Sequence, residues 1–248
     1  MTNREITNKY YAKWIGTELD LLEEPGIYWI YNAERNDKPI GYPKVYDVYV
    51  FITPQTIIIS YGDKAIDKIS TIKNKVTLGT TVAELNRIMN EAFSLKPEHK
   101  IKYIYSCIKT DDKQFAKRLL ISDYKLYLDF FKTTNPNCKD TSWVEDYFVE
   151  IVEKGYCHGV IINNLLVSVT DAPDMPFMSN KTQEIGINTL TSFRGKGYGK
   201  SACLSCIGEM IRTDICPQWS TVIDNIASQN LAVSIGFEKY FDNLLMSL

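Results

Sequence analysis

Gln183-Glu-Ile-Gly-Ile-Asn-Thr-Leu-Thr-Ser-Phe-Arg194-Gly195-Lys196-Gly197-Tyr198-Gly199 is the stretch whose reading decides the fold. It begins as an alternating apolar run, passes through a glycine turn and opens onto an amphipathic helix. Glycines remove side chains where backbone N–H groups must approach an anion, and the partial positive charge of a helix N-terminus faces the same point. The arrangement suits a phosphate group. A P-loop would need Gly-x4-Gly-Lys-Ser/Thr, and a dinucleotide fingerprint would need Gly-x-Gly-x-x-Gly. Neither pattern is present, because Gly195, Gly197 and Gly199 alternate singly.

An Arg-Gly-Lys-Gly turn also serves as an ordinary surface lead into a helix, so the elements that follow must discriminate. Cys203, Cys206, Ile207, Met210 and Ile211 recur at helical spacing and predict a helix over 196–213 with one apolar face to lay on a sheet. Pro217 is expected to break the chain. Trp219 to Asp224 then reads as a short strand. The next segment, from Asn225 to Gly236-Phe237, reads as a helix capped by Asp224 or Asn225 and closed at Gly236. Extended structure resumes from Phe237.

With strand, glycine turn, long helix, strand, Asn-bearing helix and Gly-Phe in that order, the chain resembles the GNAT superfamily of N-acetyltransferases. Arg194-x-x-Gly197-x-Gly199 matches its acyl-CoA pyrophosphate loop. Glu184 to Thr189, Pro217-x-Trp219 and Asn225-x-x-Ser228-x-x-Leu-Ala232-x-x-x-Gly-Phe237 resemble a bacterial branch with an extra N-terminal domain. The resemblance covers roughly residues 106–248. It implies an α/β (α+β) GNAT fold, a mixed central sheet flanked by helices, divided here as a smaller N-terminal α+β domain over 1–104 and the acetyltransferase domain over 105–248.

Composition sets outer bounds. A chain of 248 residues with 45% hydrophobic residues can fill a core without disulfides. A net charge of −2 and no long Lys/Arg cluster argue against nucleic acid as the main partner. No stretch approaches membrane-spanning length and the first residues carry no apolar signal core, so a cytoplasmic protein is expected. Cys107, Cys138, Cys157, Cys203, Cys206 and Cys216 lack a disulfide-scaffold rhythm and read as reduced thiols. Cys203-x-x-Cys206 lies on the apolar helix face, so it is expected to pack in the core, and no metal is expected. His158 flanks a strand and is read as a surface or edge residue. Only His99 accompanies it, which disfavours Ser-His-Asp chemistry.

The first hundred residues are richer in β-branched and aromatic runs. Gly26–Tyr31, Val45–Phe51 and Thr56–Tyr61 predict a small sheet, Asp63–Ile72 a helix, and Thr81-x-x-Glu84 a capping box that starts another. Tyr10, Tyr11, Tyr28, Tyr31, Tyr42, Tyr46, Tyr49 and Tyr61 are expected mainly to pack, with an acceptor-site wall as the other role. Further on, Lys102–Cys107 reads as a strand, Ser122–Lys132 as a helix, and Ser142-x-x-Glu145 as a second capping box. Asn163-Asn164 suits a two-residue hairpin turn.

The resemblance implies acetyl-CoA as donor and a primary amine of a small molecule as acceptor, by direct attack without a covalent enzyme intermediate. The pyrophosphate cradle falls on Arg194, Gly195, Lys196, Gly197, Tyr198, Gly199, Lys200 and Ser201, and the pantetheine track on Thr189, Leu190 and Thr191. Lys200 can equally be a solvated helix residue. Glu184 is the expected general base, with an edge-strand ion pair as the other reading. Many relatives carry a tyrosine as general acid where this chain has Ala232; Ser228, a turn earlier, is placed to hydrogen-bond the leaving sulfur. Asn225 and Asn230 are expected cofactor contacts, or cap and surface residues. A degenerate acyl-CoA sensor and a longer acyl donor stay open, as does the oligomeric state.

Overall fold

The computed structural model describes residues 1–110 and 113–248. Seven helices and eleven strands are assigned among the described residues. In the N-terminal part these are α1 (Asn3–Ile15), β1 (Gly26–Tyr31), β2 (Val48–Ile52), β3 (Thr56–Tyr61), α2 (Ile66–Ile72), α3 (Val82–Phe93) and β4 (Glu98–Tyr105). Then come β5 (Lys117–Arg118), α4 (Tyr124–Thr134), α5 (Val144–Glu153), β6 (His158–Ile162) and β7 (Leu165–Asp171). The chain closes with β8 (Thr182–Glu184), β9 (Gly186–Thr189), α6 (Tyr198–Arg212), β10 (Cys216–Val222), α7 (Ile226–Ser234) and β11 (Phe237–Met246).

The strands form a mixed seven-stranded sheet in the order β1-β3-β2-β11-β4-β10-β8 and a four-stranded antiparallel sheet in the order β5-β6-β7-β9. The larger sheet runs across residue 104, because the C-terminal β11 lies between β2 and β4 and pairs antiparallel with both. One face of its C-terminal half, with Ile101, Tyr103 and Trp219, packs against Cys203, Cys206, Ile207 and Met210 of α6. The same face at the other end packs against α2 and α3 through Ile69, Leu85 and Met89. The opposite face carries Phe51, Ile58 and Phe241 under Tyr11, Trp14 and Ile15 of α1.

Helix α1 has no counterpart in the sequence reading, although its ends are written in the residues. Thr2 and Glu5 form a reciprocal capping box, and Gly16 closes the helix at φ 78° with its N–H on the Ala12 carbonyl. Three other expectations need correction. Ser142 caps nothing: its hydroxyl and amide both turn back to Asp140, and α5 starts two residues later without a side-chain cap. Pro217 does not break the chain but lies within β10, one residue from its start, where a missing donor is tolerated. His158 is neither surface nor edge. It is 4% exposed, with Nδ1 2.8 Å from Ser205 Oγ and Nε2 3.0 Å from the Gly155 carbonyl.

The Thr81–Glu84 capping box forms, and Asn163 and Asn164 both take positive φ in the β6–β7 turn. Cys203 and Cys206 are fully buried; burial raises the Cys203 thiol well above its usual range and pushes Cys206 up to about 12, as expected of core thiols. No helix among the described residues is long and apolar enough to cross a membrane.

Candidate active site

Strands β8 and β9 are nearly one strand, separated by Ile185 alone, yet they belong to different sheets. β8 runs parallel to the start of β10, and the last bond between them goes from the Ile185 amide to the Gln218 carbonyl at 3.1 Å. Beyond that point β9 leaves to pair with β7, while β10 continues against β4. The two sheets therefore part like a wedge. Among the described residues, the edge of β9 away from β7 and the edge of Trp219–Val222 away from β4 have no strand partner. Two open backbone edges can receive an extended polar chain as an added strand.

A cleft of about 600 Å³ occupies this wedge, a volume suited to a cofactor arm. Gly186 to Thr189 line one side, Trp219 to Thr221 the other, and Asn225, Ser228 and Leu231 of α7 close it. The glycine loop forms its mouth. Gly195 and Gly197 take φ of 74° and 87°, and a side chain at either would meet nothing within 4 Å. These glycines are therefore required by backbone conformation and an open approach rather than by crowding. Gly197 is the N-cap of α6, whose first-turn amides, Tyr198, Gly199 and Lys200, have no helical acceptor. The Ser201 amide is already spent on the Gly197 carbonyl, and its buried hydroxyl accepts from the Ala116 amide.

Among the described residues that line the cleft, only Arg194 and Lys200 are charged, both positive. The Arg194 Nε donates to the Thr189 carbonyl at 3.1 Å, which ties the loop to the end of β9. Lys196 is exposed and sits 4.9 Å above the Phe193 ring. Thr189 is fixed from within: its amide bonds to Asn188 Oδ1 and its hydroxyl lies 2.8 Å from Ser168 Oγ. Leu190 is buried with its amide on the Val167 carbonyl, and Thr191 is exposed in the turn that follows. Free amides, two cations, open strand edges and volume together fit an acyl-CoA diphosphate and its pantetheine arm.

At the inner end of the wedge Glu184 closes β8; it does not itself line the cleft, but its carboxylate accepts a hydrogen bond from the Ser220 hydroxyl, which does. Ser228 faces the same space, and its Oγ accepts from Trp219 Nε1 at 3.2 Å. The Asn225 side chain caps α7 by accepting the Ser228 amide at 3.1 Å and also lines the cleft, whereas Asn230 is exposed on the helix. Ala232 is fully buried, so nothing at that position reaches the cleft.

Two residues were not singled out from the sequence. Ser220 holds the Glu184 carboxylate, and Lys102, its cross-strand neighbour in β4, is buried beside it. A lysine amid Ile101, Tyr103 and Ile104 is the signal that could have found the second. Among the described residues no group of three or more His, Cys, Asp or Glu is placed to hold a metal ion.

A family model described as GNAT acetyltransferase matches residues 82–242. Solved structures with a TM-score above 0.5 share the fold at low identity. A GNAT-family acetyltransferase from Colwellia psychrerythraea superposes with a TM-score of 0.53 at 14% identity, over 74% of this chain and 72% of that one. A GCN5-related N-acetyltransferase from Sphaerobacter thermophilus gives 0.51 at 12% identity, over 66% of this chain and 55% of that one. A GNAT-family acetyltransferase from Novosphingobium aromaticivorans gives 0.47 at 17% identity, and the match spans 61% of this chain and 65% of that one. No curated protein sequence matches the chain.

Proposed function

The chain belongs to the GNAT acetyltransferase family, and on that premise we propose that it moves the acetyl group of acetyl-CoA to a primary amine of a small molecule by direct attack. The observation that carries this reading is the wedge between β9 and β10, with free α6 amides at its mouth and Glu184 at its inner end. A bound thioester supplies the acyl group; the residues of the chain hold it and handle protons. The amides of Gly195 to Lys200 with Arg194 and Lys200 grip the diphosphate, each charge-assisted contact contributing about 1 to 3 kcal/mol. The open edge of β9 binds the pantetheine amides.

Glu184 takes the proton from the attacking amine, directly or through one water, with Ser220 fixing the carboxylate. Ser228 steadies the leaving sulfur with its own proton, because its acceptor side is occupied by Trp219. The reading includes a cytoplasmic setting, which six unpaired cysteines support. It also treats residues 1–104 as the unit that walls the acceptor side. In support, the Glu184 charge reaches Tyr10, Tyr11, Tyr42, Tyr46 and Tyr49 and adds to burial in raising their hydroxyls.

The test is acetyl-CoA-dependent thiol release across a panel of small amines, with coenzyme binding measured in parallel by calorimetry. Turnover that Glu184→Gln abolishes while binding persists supports the reading. Binding without turnover on any amine replaces it by an acyl-CoA sensor, for which the buried Ala232 is the favouring feature. Competing acyl-CoAs in one assay decide chain length.

A further inference from the structure

Lys102 sits in the middle of β4, directly opposite Ser220 of β10 and Phe241 of β11. The pairing puts it on the face covered by α1. Its residue exposure is 7%, and among the described residues it has neither a hydrogen bond nor an ion pair. Its nearest ring is Tyr11, whose centroid lies 5.9 Å from Nζ. The Lys102 Nζ nevertheless keeps some contact with solvent, so an anion arriving there gives the ammonium the partner it lacks. Burial lowers its pKa and the Glu184 carboxylate pulls it back up, so the two charges sense each other without touching.

Other polar atoms on this face are left open too. Tyr49 Oη and Gln218 Oε1 are buried without a hydrogen-bond partner. Gln218 is the β10 partner of Glu184 and lies two residues from Ser220 on the same side of the sheet. Farther along β4, Lys100 and Lys44 share one carboxylate, that of Glu98, at 3.2 and 3.5 Å. Around Glu98 and Glu184 this face thus carries three lysines, Lys44, Lys100 and Lys102, against two carboxylates.

We propose that Lys102 binds an anionic group of the acceptor, so that the acceptor is an amino acid, its amine turned to Glu184 and its carboxylate to Lys102. This rests on the reading of Glu184 as the proton acceptor. Lys102 and Glu184 flank a single hydroxyl, Ser220, by a cross-strand pairing on one side and a hydrogen bond on the other. An amine and a carboxylate joined by a short chain match that separation. A polyamine would meet like charge at Lys102, and a neutral amino sugar would leave the ammonium unpaired. The Tyr11 ring beside Lys102 suits an apolar part of the same ligand.

The test reads binding apart from turnover. Calorimetry on the CoA-bound protein compares N-acetyl amino acids with matched N-acetyl amines that lack the carboxylate, in the wild type, Lys102→Met and Lys102→Arg. The expected result is an N-acetyl amino acid bound at least about tenfold more tightly than its matched amine. That preference disappears in Lys102→Met and persists in Lys102→Arg, with CoA affinity unchanged in both. Methionine preserves the length of the chain without its charge, and thermal unfolding verifies that the variant is folded. Equal affinity for the two ligand series, no binding of either, or a preference that survives Lys102→Met overturns the proposal while leaving the coenzyme site standing. Loss of CoA binding by the wild type would instead overturn the reading beneath it.

Discussion

The indole of Trp219 donates to the Ser228 hydroxyl across 3.2 Å, joining β10 to α7 at the inner end of the cleft. Trp219 is 2% exposed, so its N–H has no water to turn to. Ser228→Ala should lower stability by about 1 to 3 kcal/mol in chemical denaturation, because a buried donor is left unpaired. The same substitution should slow turnover by about tenfold to a hundredfold at saturating acetyl-CoA, since a hydroxyl assists a leaving thiolate less than a true acid does. Unchanged turnover would remove Ser228 from the chemistry and leave it a structural bridge.

Glu184→Gln should reduce kcat by about a hundredfold to ten-thousandfold with the acetyl-CoA Kd intact, the range expected when a positioned base is lost. Ser220→Ala removes only the group that orients the carboxylate, so its expected loss is nearer tenfold. Steady-state kinetics measures both losses, and a calorimetric CoA affinity unchanged in the two variants separates loss of chemistry from loss of binding.

Gly197→Val and Gly199→Val should both weaken CoA binding, for different reasons. At Gly197 the cost is the positive φ of 87°, in otherwise open space; an L side chain pays about 1 to 2 kcal/mol there and relaxes by moving the loop amides. At Gly199 the φ is ordinary, but an added Cβ would lie 3.3 Å from Thr189 Oγ1, and the two extra methyl groups project toward the cleft wall. Calorimetry with CoA measures both. Full affinity in the two variants would place the diphosphate elsewhere.

Burial lowers the pKa of His158, outweighing the opposing hydrogen bond to the Gly155 carbonyl. Folding therefore favours the neutral ring. In the unfolded chain the imidazole takes up a proton near pH 6.5, while the folded protein resists it to lower pH. Stability attributable to this residue is complete above about pH 6.5 and declines as pH falls from there toward the folded value. Melting temperature measured from pH 7.5 to 5.5 should fall more steeply for the wild type than for His158→Gln.

The α1 capping box gives a local readout of how strongly the N-terminal helix is tied to the sheet. Thr2→Ala should cost about 1 kcal/mol in a single cooperative transition, because Tyr11, Trp14 and Ile15 pack onto the same sheet as the C-terminal strand β11. A separate early transition would show α1 melting on its own.

Local chemistry is what a sequence states openly, and here it reached far. The glycine turn at 195–199, the apolar stripe of α6, the Asn225 cap, the Thr81 capping box and the Asn163-Asn164 turn each depend on residues within a few positions of one another. Their order along the chain was enough to suggest the GNAT resemblance. Where local reading failed, either a competing local turn or a tertiary contact had won. The Ser142 motif lost to an Asp140 turn, and His158 was drawn inside by Ser205 of α6. Pro217 took a strand position whose partner, Gln183, lies in β8.

What the sequence by itself determined, then, is most of the elements and the loop able to meet a phosphate, because helix periodicity, caps and positive-φ glycines are written within a turn or two of chain. What only the tertiary structure decided is the wedge between β9 and β10, the insertion of β11 between β2 and β4, and the meeting of Lys102, Ser220 and Glu184. Those relationships join residues more than thirty positions apart. They are set by which strand edges pair and where pairing stops, and no short stretch of sequence encodes that choice.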